Sequence, residues 1–168
     1  MVTNHLLTGF TFGLSISVIS WMVGIVGNAI LLRTSYYDKL SHLNFIRSKA
    51  LNRALGIEQF KWIVKNSFFR FFNQSIKIEG KHTDLASIRH QMTLAEVGHL
   101  IGFLFVGAVA LYQSINVSVL FGLSMMIPNV LLNGYPSLLQ QENKRRIDQF
   151  IDRQAKRTDA RPQQQRSQ

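Results

Sequence analysis

Two stretches of the chain combine residue types that could carry out acid–base chemistry in an apolar setting. In the first, Thr93-Leu-Ala-Glu-Val-Gly-His99, Glu96 and His99 are three residues apart, so a helix places a carboxylate and an imidazole on one face. An imidazole with a carboxylate neighbour can take the proton of a hydroxyl while the carboxylate orients the ring. We therefore predict that His99 is a general base and that Glu96 is its catalytic partner.

The second stretch, residues 129–146, reads NVLLNGYPSLLQQENKRR and closes the most hydrophobic part of the chain. On a continuous helix its polar positions fall within an arc of roughly 80°. Amide groups that faced lipid would lack partners, so this stripe should face protein, water or ligand. We predict that its amides bind substrate or donate to a developing oxyanion. The stripe consists of Asn129, Asn133, Pro136, Gln140 and Asn143.

Two arginines, Arg145 and Arg146, follow the stripe directly, and they are predicted to hold the phosphates of an anionic donor. The whole set suits acyl transfer to a hydroxyl, with acyl-CoA or an acyl carrier as co-substrate and without a cofactor. A metal site is not expected. A di-iron bundle needs two Glu-x-x-His motifs and two further glutamates, whereas this sequence has one such motif.

The distribution of charge predicts the elements that position these residues. Residues 6–32 and 97–141 contain no Asp, Glu, Lys or Arg, over 27 and 45 residues. A helix needs roughly 20 apolar residues to cross a bilayer, so the first run predicts one span and the second predicts two, joined near residues 113–116. The predicted fold is an all-α integral membrane protein with transmembrane helices at 8–31, 95–112 and 117–137.

The basic residues predict an orientation. Eleven of the 19 Lys and Arg lie within residues 33–89 and eight within 144–166, and none precedes the first predicted span. Because basic residues remain in the cytoplasm, we expect a multi-pass protein of the cell membrane with its N-terminus outside and its C-terminus cytoplasmic. Binding to nucleic acid is not expected, because the basic groups adjoin spans and no recognised nucleic-acid-binding motif occurs.

Residues 55–78, in the predicted cytoplasmic loop, mix aromatic with basic side chains. This composition predicts an amphipathic helix at the membrane interface, and a helix packed on the bundle is the alternative. The membrane domain is then expected to cover residues 1–153, and the polar tail, residues 154–168, to be disordered. The apolar residues of the predicted interfacial helix recur at helical spacing: Ile57, Phe60, Val64, Phe68 and Phe71.

The residues singled out above resemble those of a known family. Small bacterial membrane enzymes of the glycosyl-4,4′-diaponeurosporenoate acyltransferase family have a Glu-x-x-His at the start of one span and an Asn…Pro…Gln-Arg-x-Asn-Arg-x-Arg run at the end of the next. Their upstream segment is similar to LGIEQFKW, residues 55–62. The resemblance covers residues 50–147, with departures at Gln141 and Lys144. The matching positions are Glu96, His99, Asn133, Pro136, Gln140, Asn143 and Arg146.

The resemblance implies an enzyme that attaches a fatty acyl chain to the sugar of a glycosylated carotenoid, with a lipid-soluble acceptor and membrane lipid as its surroundings. A homo-oligomer or a complex with other membrane enzymes is compatible with this interpretation. The residues alone leave a second interpretation open, a non-catalytic assembly or lipid-binding subunit whose polar residues only join helices. A third, an oxidoreductase or transporter component, is disfavoured because three spans are few for a transporter.

Overall fold

The computed structural model describes residues 2–46, 48–67 and 84–165, and every regular element in these ranges is helical. Seven α-helices and one π-helical turn, π1, follow one another along the chain. In chain order they are α1 (Val2–Leu31), α2 (Tyr36–Leu40), α3 (Lys49–Ala54), α4 (Ile57–Asn66), α5 (Leu85–Asn116), α6 (Val119–Asn129), π1 (Val130–Gly134) and α7 (Tyr135–Gln165).

Three of these rods are long and apolar enough to cross a membrane, namely α1, α5 and the continuous rod α6–π1–α7. They confirm the predicted all-α fold with three transmembrane helices. The predicted turn at residues 113–116 is misplaced, because α5 continues to Asn116 and the reversal falls at Val117 and Ser118. The hydroxyl of Ser118 accepts from the backbone N–H of Phe121 at 3.2 Å, so it caps the start of α6.

The three rods pack around one another: α1 contacts both α5 and α6, while α5 also contacts α7. Outward side chains on α1 are large and apolar, and Met22 and Ile25 are 69% and 70% exposed. An apolar exterior on helices of this length suits contact with lipid. Together with the three long apolar rods, this exterior supports a multi-pass membrane protein.

The π turn interrupts the third rod next to a proline. The backbone N–H of Tyr135 donates to the carbonyl of Val130, five residues earlier, which closes the π turn. Pro136 has no N–H, so the carbonyl of Leu132 loses its helical donor, and the proline ring disfavours a regular α turn there. A π turn holds one residue more than an α turn, so it changes which side chains face inward after it.

The short helix α4 and the turn before it pack against α7 through two contacts of Tyr135. The rings of Phe60 and Tyr135 stack with centroids 4.9 Å apart, and the Tyr135 hydroxyl donates to the carbonyl of Leu55 at 2.8 Å. Trp62, by contrast, is 68% exposed. Of the predicted interfacial helix, Phe68 and Phe71 lie outside the described residues. Its location at the membrane surface remains a prediction.

The polar end of the chain continues α7 as far as Gln165. Disorder was expected from residue 154 onward, and the helix differs from that expectation over the residues that the structure describes. Gln, Arg, Lys and Ala are good helix formers, and a helix that is already nucleated extends at little cost. The division of the chain into 1–153 and 154–168 remains a prediction.

Candidate functional site

A cavity of about 640 Å³ lies where α1, α4, α5 and the π1–α7 region come together. Three polar side chains line it, Asn28, His99 and Gln140, and the rest of its described lining is apolar or aromatic. Trp21 of α1 and Phe60 of α4 belong to that apolar lining. The cavity therefore offers a hydrophobic chamber with a few polar groups, which is the usual character of a site for a small or lipid-like ligand.

His99, which belongs to the first of the two stretches predicted to carry out chemistry, lies on the cavity wall. Its Nδ1 lies 3.5 Å from Oδ1 of Asn133. The ring of Trp21 meets the imidazole edge-on, with centroids 6.5 Å apart and an interplanar angle of 89°. Packing against Trp21 and the contact with Asn133 restrict the rotation of the imidazole. The predicted proximity of His99 to the amide stripe is thus present in the structure.

Asn133 and Asn129 form a buried hydrogen-bond network behind His99. The Nδ2 of Asn133 donates to Ser20 Oγ and to Asn129 Oδ1, both at 3.0 Å. The Nδ2 of Asn129 donates to the carbonyl of Phe103 at 3.0 Å. Asn129 and Asn133 were predicted to bind substrate or to donate to an oxyanion. In the structure these amide hydrogens are given to acceptors within the protein, so they are not free to donate to a substrate. They join α1, α5 and π1 instead.

The predicted polar stripe divides at π1. Asn129 and Asn133 are fully buried, but Pro136, Gln140 and Asn143 are only half-buried. Apart from Glu142, the buried polar positions after π1 lie one residue further along, as a π turn requires. These positions are Ser137, Gln141 and Lys144, each at most 3% exposed.

Of the half-buried residues after π1, Pro136 and Gln140 line the cavity, whereas Asn143 is not among its lining residues. The Oε1 of Gln140 is buried without a hydrogen-bond partner in the described structure. Of the amides predicted to bind substrate, Gln140 therefore combines a position in the cavity lining with a polar atom that has no partner in the described structure. Sequence spacing on an ideal α-helix could not separate it from the asparagines, because it ignored the extra residue in π1.

Glu96 pairs with a different residue from the one predicted. Its carboxylate forms an ion pair with Lys144, and both side chains are almost completely buried. Within the described ranges, no hydrogen bond or ion pair joins Glu96 to His99. The i, i+3 spacing puts both residues on one side of α5, but Lys144 of α7 takes the carboxylate. Tyr37, which lies outside the spans, is close to this carboxylate. Burial raises the pKa of the Tyr37 hydroxyl, and the negative charge of Glu96 raises it further.

The basic residues that follow the stripe serve different functions in the fold. Lys144 Nζ donates to the carbonyl of Ser41 at 2.8 Å, and the Arg145 guanidinium donates to the carbonyl of Ile46. Both residues thereby fasten the loop after α2 to α7. Arg146 pairs with Glu142, and its side chain is 59% exposed. Of the two predicted phosphate ligands, Arg146 is therefore the more accessible one.

Lys61 of α4 is a further cation on the same side of the bundle as Arg146. Burial lowers the pKa of its ammonium group, and the positive charge of Arg146 lowers it further. Lys61 and Arg146 are thus two cations whose charges repel each other across the space between α4 and α7. Phe60, the residue before Lys61, lines the cavity, whereas Lys61 and Arg146 are not among its lining residues.

Several residues of the site were missed from the sequence. Asn28 lines the cavity and donates to the carbonyl of Leu94 at 2.7 Å, and its Oδ1 is buried without a partner in the described structure. An asparagine within an uncharged run was a signal that could have identified it. Ser20 gave no such signal, since its partner Asn133 lies 113 residues away.

Comparison with known proteins gives one relationship. No match to the chain is found among curated proteins or among solved structures. A family model described as CrtO, glycosyl-4,4′-diaponeurosporenoate acyltransferase, matches residues 33–153. That range contains the second and third spans with His99 and Asn133, and it begins just after α1. Since it covers more than half of the 168 residues, the chain belongs to the glycosyl-4,4′-diaponeurosporenoate acyltransferase family.

Proposed function

We propose that this protein transfers a fatty acyl group from a thioester donor to a hydroxyl of a lipid-soluble glycoside, such as a glycosylated carotenoid, and that His99 is the general base. The observation that carries the proposal is the position of His99. Its imidazole lies on the wall of a predominantly apolar cavity and is restrained from behind by Asn133. A restrained base beside a hydrophobic chamber fits a reaction between an apolar acceptor and an acyl chain.

In the proposed reaction, His99 takes the proton of the acceptor hydroxyl as its oxygen attacks the thioester carbonyl. A C–O bond forms and the C–S bond breaks. The imidazolium then returns the proton to the departing thiolate, so that the ester and a free thiol leave the site. Removing a positioned general base typically lowers the rate by about 10²–10⁴-fold.

In this proposal, different residues around His99 bind the acceptor and the donor. Gln140 is assigned to a hydroxyl of the acceptor, because its Oε1 has no partner in the described structure and can accept that hydrogen, and because the residue lines the cavity. Arg146 and Lys61 are assigned to the phosphates of the donor, since Arg146 is an accessible cation and Lys61 follows Phe60, a residue of the cavity lining. Glu96 acts indirectly by neutralising Lys144, which holds α7 against α5 beside His99.

The proposed orientation has the N-terminus outside and the cavity's α4 side in the cytoplasm. Its support is the distribution of Lys and Arg, all of which lie in residues 33–89 and 144–166. Reporter fusions at the N-terminus and after α7 test this orientation. A cytoplasmic N-terminus would overturn it, and the thioester donor would then have to reach the site from the other side.

A second function is favoured by one observation, the commitment of Asn129 and Asn133 to bonds between helices. These contacts suit a non-catalytic subunit equally well, because polar side chains commonly join membrane helices. The two functions differ in what a cell containing the protein makes, so the products of that cell decide between them.

The test compares the wild-type chain with His99→Ala and His90→Ala in a host that supplies a glycosylated carotenoid. His90 is the matched control, since it lies on the same helix and is exposed. Mass spectrometry of total lipids and pigments should find an acyl ester with the wild type and the control, and a loss of about 10²-fold or more with His99→Ala. An unchanged ester in a well-expressed His99→Ala would rule out the base, and no ester with the wild type would favour the subunit.

A further inference from the structure

In the hydrogen-bond network behind His99, each group can be assigned as donor or acceptor. These assignments determine which nitrogen of the imidazole carries its proton. Asn133 offers two donor hydrogens and one acceptor oxygen on its side chain. Three groups surround it: Ser20 Oγ, Asn129 Oδ1 and His99 Nδ1. Which of these groups receives a hydrogen and which gives one follows from the outer members of the network.

Both outer ends of the network terminate at backbone carbonyls, which can only accept. Ser20 Oγ donates to the carbonyl of Ser17 at 2.6 Å, so towards Asn133 it must accept. Asn129 Nδ2 donates to the carbonyl of Phe103, so Asn129 presents its oxygen to Asn133. Both hydrogens of Asn133 are therefore required by these two acceptors, and only its Oδ1 remains for the imidazole.

Burial makes the alternative arrangement unfavourable. Ser20, Asn129 and Asn133 are each 0% exposed, so water cannot supply a substitute partner. A rotated Asn133 amide would set its oxygen against the Asn129 oxygen. Gly102 leaves the space for this arrangement, because a Cβ there would lie 2.9 Å from Ser20 Oγ and 3.0 Å from Asn133 Oδ1.

We propose that Ser20 and Asn133 are positioning residues that hold His99 in the tautomer protonated at Nδ1, which leaves Nε2 as the unprotonated nitrogen. Nδ1–H donates to Asn133 Oδ1, and Nε2 has the lone pair that a general base needs. The inference rests on the proposed function for its catalytic meaning. It also gives α1 a part in the site, although α1 lies before the range that the family model matches.

The test measures the tautomer directly. Protein with ¹⁵N-labelled histidine is prepared in detergent, and the His99 signals are assigned by their loss in His99→Ala. The wild type should show a protonated Nδ1 and an unprotonated Nε2. Asn133→Leu should convert His99 to a mixture of tautomers, and Ser20→Ala should do so in part. Ser17→Ala is the matched control: Ser17 is a fully buried serine of the same helix, and only its backbone carbonyl takes part in the network.

Turnover in the acyl-transfer assay provides the second measurement. Asn133→Leu should lower kcat by about 10²-fold, the lower end of what a general base supplies, with little change in KM. Ser20→Ala, which removes a partner one step further out, should lower kcat by about 10-fold. Ser17→Ala should match the wild type in both measurements.

Three results would overturn the inference: a wild-type His99 protonated at Nε2, an Asn133→Leu variant with the wild-type tautomer, or a Ser17→Ala variant as disturbed as Ser20→Ala. The tautomer is measured without any substrate, so this outcome is separate from that of the proposed function. A wild type with the expected tautomer and no acyl transfer would support the positioning network and contradict the acyltransferase.

Discussion

The two ends of the helical bundle treat buried polar groups differently. Near the α5–α6 turn, hydroxyl groups bond to their own helix: Ser114 donates to the carbonyl of Ala110 at 2.8 Å, and Ser124 donates to that of Leu120. Near α4, the polar groups bond from one helix to another, as Asn28 does with the carbonyl of Leu94. The first kind of bond leaves the helices independent of one another, whereas the second fixes their relative rotation.

The two ends also differ in whether the helices leave a cavity between them. At the turn end, glycines allow backbone to contact backbone, and a Cβ on Gly13 would lie 2.5 Å from the Cα of Met125. At the α4 end α1 and α5 are also in backbone contact, since a Cβ on Gly24 would collide with the carbonyl oxygen of Gly98, but a cavity of about 640 Å³ lies between them, α4 and the π1–α7 region. Close packing on every side excludes a ligand, whereas a cavity between helices that are bonded to one another admits a ligand while its walls keep their positions. The polar groups near His99 therefore position a site, whereas the hydroxyl groups near the turn bond only within their own helices.

The largest expected effect comes from the buried ion pair at the α4 end. Lys144→Met leaves the Glu96 carboxylate buried and unpaired, which should lower the free energy of unfolding by about 3–5 kcal/mol. Unfolding in mixed detergent micelles, followed by circular dichroism, measures this. The double variant Glu96→Leu/Lys144→Met should recover most of the loss, because it removes both charges.

The control for the ion pair is Arg146→Met, which breaks the pair with Glu142. The Arg146 side chain is largely exposed, so this change should cost no more than about 1 kcal/mol. Equal losses for Lys144→Met and Arg146→Met would contradict the distinction between a buried structural cation and an accessible one.

Glycine substitutions compare the two ends directly. Gly13→Ala should lower the free energy of unfolding by about 1–3 kcal/mol, because the new Cβ meets the backbone of α6, which cannot move aside on its own. Gly102→Ala meets the side chains of Ser20 and Asn133 instead, so it should mainly lower acyl transfer. Unfolding and turnover are measured for both variants.

Gly107→Ala is the matched control on α5, since among the residues that the structure describes nothing but the adjoining part of its own helix lies within 4 Å of its Cβ position. It should be neutral or stabilise the protein by up to about 1 kcal/mol, the usual gain in helix propensity. If Gly102→Ala kept full turnover, the close contact around Asn133 would have no part in the reaction.

The smallest expected effect distinguishes a bond between helices from one within a helix. Asn28→Ala removes the bond to the carbonyl of Leu94 and should cost about 0.6 kcal/mol, the average for polar contacts between membrane helices. Asn116→Ala removes an exposed bond to the carbonyl of Tyr112, on its own helix, and should change stability by less than the error of measurement. A larger loss for Asn116→Ala would contradict the comparison.

Some features of this protein follow from the sequence alone, because they depend on local properties of the chain. Two long uncharged runs were enough to predict three spans, since the rise of a helix per residue and the thickness of a bilayer are both fixed. The short motif around Glu96 and His99, with the amides near Asn133, was enough to indicate the family that the match over residues 33–153 shows. Burial of unpaired amides is costly, so the need for partners was also predictable.

The tertiary structure alone decided which partners those groups have. One extra residue in π1 moved the buried positions from Gln140 and Asn143 to Gln141 and Lys144. Lys144 therefore faces inward, where it pairs with Glu96, and His99 has Asn133 of π1 as its neighbour. The pairing of side chains depends on the rotation of each helix about its axis, and sequence spacing on an ideal α-helix does not contain the π turn that sets this rotation.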